Sequence, residues 1–82
     1  MMYIYVICSQ KDGRFYVGMT ENVERRLKEH NQGKTKSTKG FRPWELFFFE
    51  EFETREIARN REKYLKSGYG KQWIKQKYNK VL

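Results

Sequence analysis

The sequence predicts an α+β domain, a three-stranded antiparallel sheet flanked by helices in the order β-β-α-β-α-α. Three observations predict it. Two short apolar runs, "YIYVIC" at 3–8 and "FYVGM" at 15–19, face each other across the turn-forming Lys11-Asp12-Gly13. A third, strongly aromatic run, "WELFFFEEF", follows at 44–52. The charged segments between and after these runs carry apolar residues at helical spacing. A hairpin, a helix and one further strand suit a small sheet with helices packed against it.

Tyr3, Tyr5 and Ile7 fall on one side of the first strand, and Ile4, Val6 and Cys8 on the other. Both sides are apolar, which predicts a central strand with a helix on at least one face. Phe15 to Met19 is the return strand, and Gly18 near its end suggests a close backbone approach or a release from pairing. Thr20 fits a helix N-cap, with Asn22 the alternative and Glu21 and Glu24 suitably placed for the first turn. The helix runs from about Asn22 to Asn31. Val23 and Leu27 form its buried stripe, His30 lies near the stripe's edge, and Gly33 fits a C-terminal stop.

The segment "KTKSTKGFRP" at 34–43 has no apolar anchor before Phe41, so a mobile, exposed loop is expected. In the third strand Leu46 and Phe48 should point one way, Phe47 and Phe49 the other. Thr54 caps a helix reaching about Lys66, with Ile57, Ala58, Tyr64 and Leu65 as its core face. Gly68 ends it. A basic helix from Lys71 to Lys80 follows, anchored by Trp73, Ile74 and Tyr78. No repeat or linker divides the chain, so residues 1–82 read as one domain.

Composition narrows the chemistry. A chain of 82 residues has a thin core, and with 17% aromatic residues a few large rings fill most of it. The single cysteine and single histidine exclude a disulfide framework and a Cys/His zinc cluster. Cys8 reads as a small buried hydrophobe in a reducing cytoplasm. No stretch approaches the roughly 18 apolar residues of a membrane span, and no basic segment precedes the apolar start. A cytoplasmic protein without a membrane partner is expected. Eighteen Lys and Arg against ten Asp and Glu give net charge +8, which favours an anionic partner, nucleic acid first.

If the chain is an enzyme, its chemistry rests on tyrosine, arginine, histidine and carboxylate. Arg26 and His30 are four apart and share a helix face, where a guanidinium can meet phosphate with its planar fork. Arg25 and Lys28 are equally eligible on this ground. Glu62 sits at the border of the next helix's buried face. It can hold a divalent ion, since Mg²⁺ often takes only one or two protein carboxylates, or simply pair with Arg59 or Lys66. Tyr5 and Tyr16 lie on adjacent strands. Each is explained by packing, and each can also serve as a general base if cations lower its pKa.

Taken together these residues resemble the GIY-YIG endonuclease superfamily. "YIY" at 3–5 matches the first motif and "YVG" at 16–18 the second. "VERRLKEHN" at 23–31 resembles the arginine helix and "ARNREKYLK" at 58–66 the metal-glutamate helix. The resemblance is closest to the small stand-alone bacterial branch, related to the N-terminal cleavage domain of the excision-repair nuclease. Tyr3 stands where the name-giving glycine would be, and Met19 where the repair relatives carry lysine. Their late asparagine has no counterpart near Trp73-Ile74.

The resemblance implies metal-dependent hydrolysis of phosphodiester bonds, with Mg²⁺ or Mn²⁺ as cofactor. Tyr5 and Tyr16 would position or deprotonate water, with Tyr16 the preferred base. Arg26 would stabilise transition-state charge, His30 would hydrogen-bond near the nucleophile or a phosphate, and Glu62 would ligate the metal. Lys34, Lys36, Lys39 and Arg42, with Lys71, Lys75, Lys77 and Lys80, would bind the phosphate backbone without reading sequence. Phe41 or Trp44 could stack on an unpaired base, though a strand-start Trp44 suits the core. The leading expectation is a structure-directed DNA endonuclease, with RNA also open and repair or recombination as its setting. The alternatives are a nucleic-acid-binding module that cuts poorly or not at all, and an accessory protein docking on a repair complex.

Overall fold

The structure, a computed structural model, describes residues 1–81. Strand β1 (Met2–Ser9) leads through a turn into β2 (Phe15–Thr20). Helix α1 (Val23–Asn31) and a single helical turn, α2 (Lys36–Lys39), precede β3 (Trp44–Phe52). Helices α3 (Arg55–Lys66) and α4 (Gly68–Val81) complete the order. The sheet is antiparallel with strand order β2-β1-β3, so β1 is central, as its two apolar faces require.

The two faces of β1 build two cores. Ile4 and Val6 pack with Val17, Ala58, Leu65 and Ile74 beneath α3 and α4. Tyr5 and Ile7 pack with Trp44 on the opposite face, closed by Tyr16, Val23, Leu27 and Phe41. Arg61 ties α3 to β3 through a bidentate pair with Glu50, at 2.7 and 3.1 Å, and lies over the Trp73 ring of α4.

Several local expectations change. Asn22, not Thr20, caps α1, accepting from the Arg25 N–H at 3.0 Å. Thr20 instead braces the turn, accepting from the Asn22 N–H. The register shifts between Val6 and Ile7, so Val6 faces Phe48 while Ile7 faces Leu46. That bulge breaks strict alternation in β3, and Phe47 and Phe48 both pack against the α3/α4 core. Ile57 and Tyr64 are exposed, so the buried face of α3 reduces to Ala58 and Leu65. The last helix begins at Gly68, earlier than Lys71.

The 34–43 segment is not simply an exposed loop. Gly33, at φ +80°, ends α1 with the Lys34 and Gly33 N–H groups returning to the Glu29 and His30 carbonyls, a Schellman closure. The chain then turns through α2, burying Thr38 completely while its lysines stay outside. Asn31 clamps the start of β3, donating to the Trp44 carbonyl at 2.9 Å and accepting from its N–H at 2.7 Å. The Trp44 indole N–H donates to the Thr38 carbonyl at 2.9 Å. Trp44 is therefore core, held by polar bonds that composition does not reveal.

Candidate active site

β1 and β2 set two phenols side by side, with the Tyr5 and Tyr16 ring centroids 6.4 Å apart. Gly18 is the cross-strand partner of Tyr5. The Tyr5 phenol crosses directly over it, and a Cβ on Gly18 would overlap the ring and its hydroxyl. The close approach expected at Gly18 is thus real, but it is made by a side chain, while the backbone pairing continues through Gly18 to Thr20.

His30 belongs to the core rather than to its edge. It is fully buried in the last turn of α1, against both phenols, with centroids 5.7 Å from Tyr5 and 5.1 Å from Tyr16. Its Nε2 lies 2.8 Å from the Tyr5 hydroxyl and its Nδ1 lies 2.7 Å from Thr38 Oγ1. Thr38 directs its own proton to the Thr35 carbonyl at 3.3 Å. The network therefore assigns the proton of neutral His30 to Nδ1, which donates to Thr38, and leaves Nε2 to accept from the Tyr5 O–H. Burial, reinforced by the nearby Arg26 charge and opposed by Glu29, lowers the His30 pKa to about 4. The ring is neutral at pH 7. The ring is enclosed behind Tyr5, and its link to the site runs through the Tyr5 hydroxyl, where the resemblance implied a hydrogen bond near the nucleophile or a phosphate.

Arg26 is singled out by its setting. Arg25 and Lys28 are exposed, whereas Arg26 is half-buried and pairs with Glu29 at 3.0 Å. Burial opposes its charge, but Glu29 and Tyr5 outweigh that and raise its pKa. Glu62 on α3 is also half-buried and pairs with Lys66 at 3.2 Å, the nearer of its two expected cations in the helix. Burial pushes the Tyr5 phenol up to about 12; Arg26 pulls it down, while Tyr16 and Glu62 add to the rise. Tyr5 on β1 thus feels Tyr16 from β2, Arg26 from α1 and Glu62 from α3. The Tyr16 hydroxyl makes no hydrogen bond among the described residues, whereas that of Tyr5 is committed to His30.

Among the described residues no group of three or more His, Cys, Asp or Glu side chains could cage a metal. That donor set does not suit zinc. Glu62, a half-buried carboxylate paired with Lys66, could hold a hard ion such as Mg²⁺ or Mn²⁺, which takes water and phosphate as its other ligands.

The cations lie on two elements. Lys34, Lys36, Lys39 and Arg42 are arrayed around α2, and Lys71 and Lys75 lie on α4. Lys11 donates to the Gly40 carbonyl at 3.2 Å, and the Arg14 guanidinium stacks on Phe41 at 3.6 Å from its centroid. These two, to which the sequence pattern does not point, connect the α2 segment to the hairpin turn. Thr38 is a further residue that the sequence does not single out. A threonine in a hydroxyl-rich, basic segment carries no sequence signal of burial against a histidine eight residues earlier.

Comparison with known proteins identifies the family and the fold. Residues 1–79 match the family described as the GIY-YIG catalytic domain. A UPF0213 protein of Clostridium perfringens is 43% identical over 67 residues, covering 80% of this chain and 71% of that protein. A UPF0213 protein of Haloquadratum walsbyi is 46% identical over 79% of this chain and 73% of that protein. The solution structure of a UPF0213 protein from Bacillus halodurans superimposes with TM-score 0.55 at 35% identity, covering 93% of this chain and 84% of that one. The crossed phenol and glycine, the arginine helix and the glutamate helix, in this order on this sheet, belong to a chain that is a member of the GIY-YIG catalytic-domain family.

Proposed function

We propose that the protein is a metal-dependent endonuclease that hydrolyses phosphodiester bonds in DNA and selects its target by structure rather than by sequence. The observation that supports this most is the Tyr5 phenol, whose ring lies 6.4 Å from that of Tyr16 and which the Arg26 guanidinium and the Glu62 carboxylate both act on. A binding module needs only the basic surface; it has no use for a half-buried glutamate on α3 in so basic a protein.

In this reading Tyr16, whose hydroxyl is uncommitted among the described residues, orients or deprotonates the attacking water. Tyr5 holds its oxygen toward the same point, its proton directed back to His30. Arg26 keeps most of its donors beyond the Glu29 contact and meets the charge that grows on the phosphoryl oxygens. Glu62 would hold Mg²⁺ or Mn²⁺, which when bound neutralises charge on the phosphate and leaving oxygen. The exposed cations neutralise flanking phosphates without reading bases, which suits a structural preference of the kind used in repair or recombination.

The test is cleavage of single-stranded, flapped, branched and duplex DNA with Mg²⁺ or Mn²⁺. Glu62→Gln and Arg26→Ala should each lower the rate by about 10²-fold or more, the size expected when one stabiliser of transition-state charge is removed. Equal cutting by wild type and Glu62→Gln would expose a contaminant. Binding with no metal-dependent cutting of any substrate would favour the non-catalytic module.

A further inference from the structure

The buried hydrogen bonds around His30 run in one direction. The Thr38 hydroxyl donates to the Thr35 carbonyl at 3.3 Å, which leaves its oxygen to accept from His30 Nδ1–H at 2.7 Å. His30 Nε2 then accepts from the Tyr5 hydroxyl at 2.8 Å. The other end of the row points the same way. Arg26, a donor only, reaches the same phenol and acts on it by side-chain hydrogen bonding and by charge. Among the described residues the Tyr5 proton has no acceptor other than His30. Tyr5, His30 and Thr38 are 2, 0 and 0% exposed, which leaves almost no surface where water could replace any of these partners.

Reversing the row has a defined consequence. With its proton on Nε2, His30 would donate to Tyr5, and the phenol proton would turn away from the ring toward Arg26, donor against donor. Both tautomers of His30 are neutral, so charge does not choose between them; the Thr38 hydroxyl does. Thr38 is a rigid anchor for that choice. Its N–H donates to the Thr35 carbonyl at 3.1 Å. Its carbonyl accepts from the Phe41 N–H at 3.1 Å and from the Trp44 indole at 2.9 Å. An orienting group is effective when its own position is fixed by such bonds.

We propose that Thr38 is a positioning residue for the cleavage reaction: by fixing the tautomer of His30 it turns the Tyr5 proton inward, and the bare phenol oxygen then holds the Arg26 guanidinium in the pose that meets the phosphate. The proposal rests on the nuclease reading and adds to it a residue that never touches substrate.

The test compares Thr38→Val, which keeps the shape and removes the hydroxyl, with Thr38→Ser, which keeps the hydroxyl. Thr38→Val should lower kcat by about 10–100-fold, the usual effect of removing an orienting partner, with KM within about twofold of wild type. Thr38→Ser should recover most of that loss. A second readout needs neither metal nor substrate. The Arg26 guanidinium ¹⁵N signals, separate while Glu29 and Tyr5 hold the group, should merge in Thr38→Val and separate again in Thr38→Ser. A folded Thr38→Val with wild-type kcat, or with unchanged Arg26 signals, would overturn the proposal. The wild-type protein decides even if Thr38→Val does not fold: a His30 proton found on Nε2 would overturn it equally. The nuclease reading fails separately, by absence of any metal-dependent cutting in the wild type. The Arg26 signals would then still decide whether the Thr38 hydroxyl sets the position of the guanidinium.

Discussion

Acid should destabilise this protein through one buried imidazole. Folded His30 takes up a proton only near pH 4, whereas in the unfolded chain it does so near 6.5. Between these values the unfolded state holds more protons, so stability falls as pH falls. The loss begins below about pH 6.5, reaches about 2 kcal/mol at pH 5 and about 3 kcal/mol below pH 4. For a small domain with roughly 5–15 kcal/mol of stability this is a large share. At pH 5 most carboxylates remain ionised, so the histidine contribution stands apart from those of Asp12 and Glu29, whose pKa values are also lowered. Urea unfolding followed by Trp fluorescence at pH 7.5 and pH 5 measures the drop, and His30→Gln provides the chain without the titration. The wild type should lose about 2 kcal/mol more than His30→Gln between these pH values. Equal losses, or an imidazole that titrates near 6.5 by NMR, would refute the reasoning.

Gly18→Ala places a methyl in the Tyr5 phenol and forces it off His30; overpacking with an unpaired Nε2 should cost about 2–5 kcal/mol in urea unfolding. Thr38→Val removes the acceptor for His30 Nδ1–H, so imidazole ¹⁵N spectra should show a mixed tautomer, while Thr38→Ser restores the wild-type pattern. Tyr16→Phe should abolish cutting with stability within about 1 kcal/mol of wild type, since the Tyr16 hydroxyl makes no hydrogen bond among the described residues. Tyr5→Phe should lower both cutting and stability, because it leaves a buried nitrogen unsatisfied; unfolding curves beside the cleavage assay separate the two.

The sheet was legible in the sequence because its signals are local. Alternation in Met2–Ser9 marks a strand apolar on both faces, Lys11-Asp12-Gly13 marks the turn, and Thr54 marks a helix start by its own cap. The Phe47–Phe48 side assignment failed because a bulge depends on pairing with β1. The exposed-loop reading of 34–43 holds for its charged residues but missed the α2 turn and the buried Thr38, because composition shows charge and not a single inward-facing side chain.

By itself the sequence determined the order of the three strands and three longer helices, the central strand and a short menu of chemical groups. Tertiary structure decided which members of that menu meet. Arg25, Arg26 and Lys28 are equivalent along the helix, yet only Arg26 leans toward Tyr5. Tyr3 pairs its ring with Phe49, while Tyr5 crosses Gly18 and gives its proton to His30. Periodicity reports which face a residue takes on its own element. The distances between residues on β1, β2, α1 and α3 exist only once the packed cores bring those elements together, and the candidate chemistry lies in those distances.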